Sequence, residues 1–257
     1  AGWAVAYMLP GWATGAALRL PLPPGFWPQA GAVAAGLALV LVISVQGSLR
    51  GQRHASLLTA GSSLALLLGL IYGWPQLTQL DQGLLTIIQE QRSPALDELM
   101  VLVTRLGDLQ TQVAAGVLLS LVLLVTRQWR AALFAGGALL GTALANSLLK
   151  ALFARTRPEV LLEPLGSFSF PSGHSSAAFA FFLVLAILAG RGQPVRMRLT
   201  WLLLACLPAA AIAISRVYLG VHWPSDIIAG AVLATSLCAL SLTLVQWRTP
   251  LVALPAK

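Results

Sequence analysis

One stretch of this sequence holds three side chains that could do chemistry together. Ser215 to Asp226 contains a cation, Arg216, an imidazole, His222, and a carboxylate, Asp226. Pro224 favours a helix start between His222 and Asp226, which are four residues apart, so their side chains can meet. A carboxylate on one ring nitrogen fixes the tautomer of an imidazole and leaves the other nitrogen to act as nucleophile or base.

Three cations, Lys150, Arg157 and Arg216, are predicted to lie at one edge of a bundle of apolar segments. They would repel each other, and the nearest acid already has an imidazole as its partner. A shared anion resolves this conflict. Phosphate is the natural one, because arginine offers its oxygens a planar fork and lysine a point charge. The alternative, snorkelling to lipid head groups, suits Arg105 and Arg155 better.

A second histidine lies in the segment Pro171 to His174. Ser172 is a good N-cap after a proline, so a helix is expected to begin here. The N–H groups of Gly173 and His174 would then form an anion site at the helix start. Two imidazoles allow one to attack phosphorus while the other protonates the leaving oxygen. The pattern leaves open which one attacks, although the carboxylate beside His222 favours that residue.

The composition indicates an integral membrane protein. The chain is 58% hydrophobic and only 9% charged, whereas a soluble domain has about 25% charged residues. The net charge of +8 is spread over loops between apolar stretches, which argues against nucleic acid as a partner. The two cysteines, Cys206 and Cys238, lie deep in apolar stretches and are interpreted as small buried side chains rather than metal ligands or a disulfide.

Seven apolar stretches are predicted to cross the membrane, several of them near the roughly 20 residues that a span needs. They are residues 31–49, 55–74, 110–126, 131–149, 176–189, 199–214 and 227–246. The stretch from Asp81 to Asp108 is amphipathic and is predicted to lie on the membrane surface as one or two short helices broken near Pro94.

Charge predicts the orientation of these spans. Lys and Arg without any acidic residue follow the first, third, fifth and seventh spans, and all eight acidic residues fall in the opposite loops. By the positive-inside rule, the loops without acidic residues are cytoplasmic. The three motifs lie on the other side, so we expect a multi-pass protein of the bacterial inner membrane whose site faces the periplasm.

Together the motifs resemble the three-part signature of the type 2 phosphatidic acid phosphatase superfamily. They read Lys150-x6-Arg157-Pro158, Pro171-Ser172-Gly173-His174 and Ser215-Arg216-x5-His222-x3-Asp226. Every signature position is filled, and the resemblance covers about residues 55 to 250. It implies an all-α, polytopic membrane helix bundle with a six-helix phosphatase core, an outward-facing site, and no metal or other cofactor. The first span would be an addition to that core.

The resemblance also implies a role for each residue. His222 would be the nucleophile that forms a phosphohistidine, Asp226 would orient it, and His174 would be the general acid for the leaving group. The phosphoryl oxygens would be bound by Lys150, Arg157, Ser172, Gly173 and Arg216.

Four regions are expected along the chain. Residues 1–30 are predicted to be an interfacial or re-entrant segment, 31–54 an extra span with its cytoplasmic loop, 55–250 the phosphatase domain and 251–257 a cytoplasmic tail. The start of the chain, rich in Trp and Pro, resembles the end of a DedA-type membrane domain, as in the phosphatase half of a fusion protein.

The leading functional hypothesis is a phosphatase acting on a membrane lipid phosphate or pyrophosphate. Undecaprenyl pyrophosphate is the first candidate, because this carrier lipid is recycled at the outward face; phosphatidylglycerol phosphate, phosphatidic acid and lipid A phosphates stay open. A lipid phosphotransferase would use the same phosphohistidine. A lipid transporter or scaffold with an anion site fits the complete motif set poorly, and haloperoxidases with this pocket are soluble. The pattern does not predict an oligomeric state.

Overall fold

The structure, a computed structural model, describes residues 26–158 and 166–246. Its described part is helical and contains no strand, which confirms the all-α class. The helices are α1 (Phe26–Leu49), α2 (Arg53–Glu90), α3 (Pro94–Arg105), α4 (Leu109–Val125), α5 (Trp129–Phe153), α6 (Gly173–Ala189), α7 (Val195–Tyr218) and α8 (Pro224–Gln246). The predicted interfacial segment, except for residues 26–30, and the tail at 251–257 lie outside the described residues.

Helix α8 is the centre of the bundle. It packs against α2, α5 and α6, while α6 also packs against α7 and α1 lies mainly on α2. Buried residues follow α8 from Pro224 to Gln246. Several of them are small, among them Ala229, Ala234 and Cys238, and small residues let membrane helices approach closely.

Glycines mark the closest helix contacts. A Cβ on Gly230 of α8 would lie 2.9 Å from the carbonyl oxygen of Ser172, so the start of α6 rests directly on α8. A Cβ on Gly137 would lie 2.7 Å from Oγ of Ser241, and one on Gly141 would also meet α8. The Gly137–Gly141 pair therefore packs α5 against the central helix.

Four helical segments are long and apolar enough to cross a membrane: residues 54–73, 129–153, 195–218 and 224–246. Helices α3 and α4, which meet at an angle of 41°, pass this test only as a pair, and α6 and residues 34–49 are shorter apolar helices. Each of the seven predicted spans corresponds to a helix, and α4 continues from α3 instead of standing alone.

The prediction for the stretch from Asp81 to Asp108 is wrong in its first half. Helix α2 has 38 residues and runs without a break to Glu90, a length of about 57 Å against about 30 Å of hydrocarbon. Asp81 therefore lies on the continuation of α2 beyond the spanning segment 54–73, and it is only 2% exposed. The break expected near Pro94 is confirmed, because α3 begins there with Ser93 as its N-cap.

The turn after α5 directs the chain back across the bundle. Ala154 has φ 43° and ψ 37°, a left-handed conformation, and its N–H bonds to the carbonyl of Lys150 at 3.0 Å. Residues 155–158 follow this turn at the end of the bundle where α7 ends and where α6 and α8 begin. Four chain segments that carry predicted site residues therefore meet at one end.

A polar cluster joins the corner between α2 and α3 to the end of α7. Gln89 donates to the carbonyl of Tyr218 at 2.8 Å, and the hydroxyl of Tyr218 donates to Asp97 at 2.8 Å. Arg92 binds both oxygens of Asp97, at 2.9 and 3.1 Å, and these two side chains are 28% and 36% exposed. The corner thereby holds the last turn of α7 in place.

Candidate active site

His222 and Asp226 lie side by side between α7 and α8. Their side chains are 2% and 0% exposed, and Nδ1 of His222 lies 3.3 Å from Oδ2 of Asp226. The N–H of Trp223 donates to the same oxygen at 2.9 Å, and the hydroxyl of Ser169 donates to it as well. The carboxylate therefore holds the Nδ1 edge of the imidazole against the start of α8.

Burial decides the protonation of His222. It lowers the pKa of this imidazole to about 3; the charges of Arg157 and Lys150 act in the same direction, and Asp226 opposes them. The ring is therefore neutral near pH 7. Because an ionised carboxylate only accepts hydrogen bonds, Nδ1 carries the ring proton and Nε2 keeps a lone pair.

The lone pair of His222 faces Arg157. Nη1 of Arg157 lies 3.2 Å from Nε2 of the ring and donates to the carbonyl of Val221 at 2.6 Å. Its Nε and Nη2 donate to the carbonyl and the hydroxyl of Ser167, each at 2.9 Å. A guanidinium in this position offers a fork for anionic oxygens beside the nitrogen that is free to attack.

Lys150 approaches from the last turn of α5. Its Nζ donates to the carbonyl of Phe168 and, at 3.4 Å, to that of Ser169. Few water molecules can solvate an ammonium group inside the protein, so carbonyl oxygens of the chain replace them as hydrogen-bond acceptors. The segment before α6 thus holds both Lys150 and Arg157.

The second histidine also has a carboxylate partner. His174 lies in the first turn of α6, and its Nε2 is 3.0 Å from Oδ1 of Asp108, which immediately precedes α4. The two side chains are 22% and 51% exposed. The preceding Gly107 packs on the ring, because a Cβ there would lie 2.9 Å from Cδ2 of His174.

Arg216 reaches the site from the last turn of α7. It is 9% exposed, and its Nη1 donates to the hydroxyl of Thr104 at 2.7 Å. Its Nε is buried without a hydrogen-bond partner within the part of the chain that the structure describes. A buried charged donor in this state is costly, and an anion would satisfy it.

The start of α6 has the geometry of a capped helix end. Ser172 is the N-cap, and its hydroxyl accepts from the N–H of Ser175 at 3.4 Å. Around Gly173 the space is open, since a Cβ there would meet no atom closer than Oδ1 of Asn146 at 3.6 Å. Asn146 donates to Ser176 at 3.0 Å and so ties α5 to this turn.

Electrostatics joins the two histidine groups into one site. The charge of Arg157 acts on both His222 and His174, and also on Lys150 and Arg216. The structure thus brings all predicted site residues to one end of the bundle, with Arg157 central among the charges.

The prediction that Arg155 extends to lipid head groups is wrong. Arg155 is buried, and its side chain is 9% exposed. Its Nη1 contacts Oδ1 of Asp226 at 2.7 Å and its Nη2 contacts Oδ2 of Asp81 at 2.7 Å. The ring of Trp223 lies 5.5 Å from the guanidinium carbon. The reason is the left-handed turn after α5, which directs this side chain inward.

Several residues around the site are not predicted by any sequence motif. One signal was available for Asp81, because an acidic residue close to an apolar span is expensive to bury and usually has a partner or a function. For neutral side chains no such signal exists. The residues missed are Asp81, Thr104, Asp108, Asn146, Ser169 and Ser225.

An apolar cavity of about 490 Å³ lies at the other end of the bundle. It is bounded by α1, the end of α6 and the start of α7, and Leu41, Leu183 and Leu202 are among its walls. No predicted site residue borders it. Among the described residues, no three metal-binding side chains of His, Cys, Asp or Glu come together either.

Comparison with known proteins gives concordant matches. The sequence pattern of the PAP2 superfamily matches residues 131–250. Phosphatidylglycerophosphatase B of Bacillus subtilis is 34% identical over 152 residues, which are 54% of this chain and 70% of that protein. Undecaprenyl-diphosphatase of Sulfolobus acidocaldarius is 34% identical over 90 residues, 35% of this chain and 40% of that protein.

A solved structure shows the same architecture. It is the crystal structure of a transmembrane PAP2-type phosphatidylglycerolphosphate phosphatase from Bacillus subtilis. The TM-score is 0.65 with 26% sequence identity, and the match covers 75% of this chain and 98% of that one.

Proposed function

The chain belongs to the PAP2 superfamily of membrane lipid phosphatases, and from this premise we propose that it removes a phosphate from a lipid phosphate or pyrophosphate through a phosphohistidine at the periplasmic face. The observation that carries the proposal is the position of His222. Asp226 occupies Nδ1 at 3.3 Å, and the neutral Nε2 points to the cation Arg157 at 3.2 Å. The nitrogen that is free to attack therefore lies beside a group that can bind the phosphate.

The first step forms a bond between nitrogen and phosphorus. Nε2 of His222 attacks with its lone pair, and the bond between phosphorus and the leaving oxygen breaks with its electrons on that oxygen. The imidazole becomes positively charged, and Asp226 stabilises this charge through Nδ1–H. Arg157, Lys150 and Arg216 neutralise the charge on the three equatorial phosphoryl oxygens.

His174 supplies the proton for the leaving oxygen. Its Nε2 lies 3.0 Å from Asp108, and we propose that the leaving oxygen takes the place of this carboxylate as the acceptor of the proton. Asp108 is 51% exposed, so it has solvent into which it can turn.

The second step releases the phosphate. The neutral His174 accepts a proton from a water molecule, the oxygen of which attacks phosphorus, and the nitrogen–phosphorus bond breaks with its electrons returning to Nε2 of His222. Both histidines thereby regain their starting protonation.

The orientation follows from charge. Acidic residues and the site occur at the end where α6 and α8 begin, whereas the connections at the other end carry Arg127, Arg130, Arg191 and Arg196 without an acidic residue. The positive-inside rule puts these connections in the cytoplasm and the site on the outer side.

Undecaprenyl pyrophosphate is our first candidate for the substrate, because the outer leaflet is where this carrier lipid must lose a phosphate. The similarity to an undecaprenyl-diphosphatase supports it. Phosphatidylglycerol phosphate is the second candidate, and it is favoured by the longer match to phosphatidylglycerophosphatase B and by the structural match.

The test is phosphate release by purified protein in detergent with EDTA present. The panel holds undecaprenyl pyrophosphate, phosphatidylglycerol phosphate, phosphatidic acid and a soluble phosphate ester, each with wild type and His222→Ala. We expect release that survives EDTA, that is highest with undecaprenyl pyrophosphate and that is lost in the variant. Equal release by wild type and variant would exclude the histidine mechanism, and a preference for phosphatidylglycerol phosphate would replace the first candidate with the second.

A further inference from the structure

We propose that Arg155 and Asp81 form a buried charge pair that positions Asp226, and through it His222, for phosphoryl transfer. Neither residue belongs to the three motifs. The proposal rests on the proposed function, because it assigns both residues to the reaction that His222 is proposed to start.

The contacts show how the pair is built. The guanidinium of Arg155 divides between two carboxylates, with Nη1 at 2.7 Å from Asp226 and Nη2 at 2.7 Å from Asp81. Nη1 also donates to the hydroxyl of Ser225 at 2.8 Å. Asp226 therefore uses Oδ1 for Arg155 and Oδ2 for the His222 side, so the two demands on this carboxylate do not compete.

Asp81 ties the same cluster to a second helix. It accepts from the N–H of Ser225 at 2.9 Å and from its hydroxyl at 2.5 Å. Ser225 lies between Pro224 and Asp226 in the first turn of α8. Asp81 lies in α2, beyond the membrane-spanning segment 54–73. The position of the reacting carboxylate is thus determined from α2 as well as from α8.

Burial makes the charge balance decisive. Asp226 is 0% exposed, Asp81 2% and the Arg155 side chain 9%. Two carboxylates here without a cation could not both stay ionised, because water does not reach them to stabilise the charge. If Asp226 took up a proton, it could no longer hold Nδ1–H of His222. Arg155 therefore keeps Asp226 ionised, and Asp81 keeps Arg155 from drawing that carboxylate away from the imidazole.

Neither residue contacts the region between the histidines. Arg155 meets Asp226 on the oxygen that does not face His222, and Asp81 lies behind Arg155. Both are positioning residues, so their loss must reduce kcat and leave KM nearly unchanged. A residue that binds the phosphate would change KM.

The experiment compares Arg155→Gln, Asp81→Asn and the double variant in the lipid assay. Arg155→Gln is expected to lower kcat roughly 10- to 100-fold, as is typical when the partner that orients a reacting group is lost, with KM changed by less than about threefold. In the double variant only one carboxylate remains, so kcat is expected to recover to within about 10-fold of wild type. Arg155→Lys, which retains the charge, is expected to lie between wild type and Arg155→Gln.

A matched control is Arg196→Gln, the same substitution at an exposed arginine at the opposite end of the bundle. It should leave kcat within about twofold of wild type, because surface substitutions away from special features change little. All variants are assayed as monodisperse protein well below their unfolding midpoints, so that a loss of folded protein is not mistaken for slower chemistry.

Three results would overturn the inference while wild type remains active: a kcat of Arg155→Gln within about threefold of wild type, a double variant no faster than Arg155→Gln, or a change in KM alone. Failure of the proposed function looks different, because wild type itself would then release no phosphate from any lipid, and the inference would fall with it.

Discussion

Oδ1 of Asp108 lies 3.0 Å from Nε2 of His174, so the second histidine of the site is paired with a carboxylate as the first one is. The two pairs differ in burial. The His222 pair is closed off from solvent, whereas the Asp108 side chain is half exposed. This difference matches the different tasks proposed for the two rings, because a nucleophile must stay in one orientation and a general acid must exchange its partner during each cycle.

Asp108→Asn should slow the reaction without abolishing it. The carboxylate favours the charged form of His174, and an exposed interaction of this kind is worth about 1 kcal/mol, which corresponds to roughly fivefold in kcat. The measurement is kcat with a lipid phosphate, and Glu98→Gln, at an exposed acidic residue on α3, is the control. A kcat equal to that of wild type would show that Asp108 has no part in the proton transfer.

His174→Gln should affect substrates according to their leaving groups. Loss of a general acid reduces turnover of a lipid phosphate by roughly 10²–10⁴-fold. An aryl phosphate with a weakly basic leaving group, such as p-nitrophenyl phosphate, needs little proton transfer in the first step. Because His174 also serves the second step, the measurement is leaving-group release in a single turnover, which should slow much less with the aryl phosphate than with the lipid. If single-turnover release slowed equally with both substrates, His174 would act in binding and not as the acid.

Arg216→Lys should weaken anion binding. Arg216 uses Nη1 for Thr104, and its Nε is buried without a partner among the described residues; a lysine could not retain both groups. A hydrogen bond to a charged group is worth about 1.5–3 kcal/mol, so the inhibition constant of inorganic phosphate should rise at least about 10-fold. The control is Arg105→Lys, an exposed residue on the same helix as Thr104. An unchanged constant would remove Arg216 from the phosphate site.

Two glycine substitutions should shift stability in opposite directions. Gly230→Ala places a methyl group 2.9 Å from the carbonyl oxygen of Ser172, and such overpacking costs about 1–3 kcal/mol. Gly136→Ala on α5 meets no atom within 4 Å and should stabilise by up to about 1 kcal/mol through helix propensity. Thermal unfolding in detergent measures both. A midpoint of Gly230→Ala at or above that of wild type would contradict the close contact between α6 and α8.

Acid should destabilise the protein through His222. Its pKa is lowered to about 3 in the folded state, whereas the unfolded residue takes up a proton near pH 6.5. The unfolded chain therefore gains a proton that the folded protein does not take up. The free energy of unfolding is unaffected by this group above pH 6.5 and decreases as the pH falls towards 3, by about 2 kcal/mol between pH 6.5 and 5. The unfolding midpoint of wild type should therefore fall further from pH 7 to pH 5 than that of His222→Asn. Equal falls would mean that His222 is protonated in the folded protein.

The parts of the site that depend only on neighbouring residues in the sequence were predictable. Ser172 and Pro224 predict where two helices begin, and the structure has those helices beginning at Gly173 and Pro224. The spacing of His222 and Asp226 allows contact across one turn. The helical class follows from the apolar stretches themselves. These features need no knowledge of which segments become neighbours.

Arg155 and Asp81 were not predictable in the same way, because 74 residues separate them along the chain. Their meeting depends on the turn at Ala154 and on the unbroken course of α2, and neither follows from hydropathy. The amphipathic pattern from Asp81 to Asp108 predicts one or two short surface helices, because such a pattern is typical of helices whose polar residues face water. In fact Asp81 faces a cation inside the protein.

The course of α2 limits how far the catalytic part can be treated as a module. The family match spans residues 131–250 and contains all three motifs, but Asp81 lies upstream of it. A graft of that region onto another membrane chain would transplant every motif residue and leave behind the counter-ion of Arg155. The unit that evolution could recombine intact therefore begins no later than α2, and chimeras joined after α4 should inherit the motifs without a balanced charge at their centre.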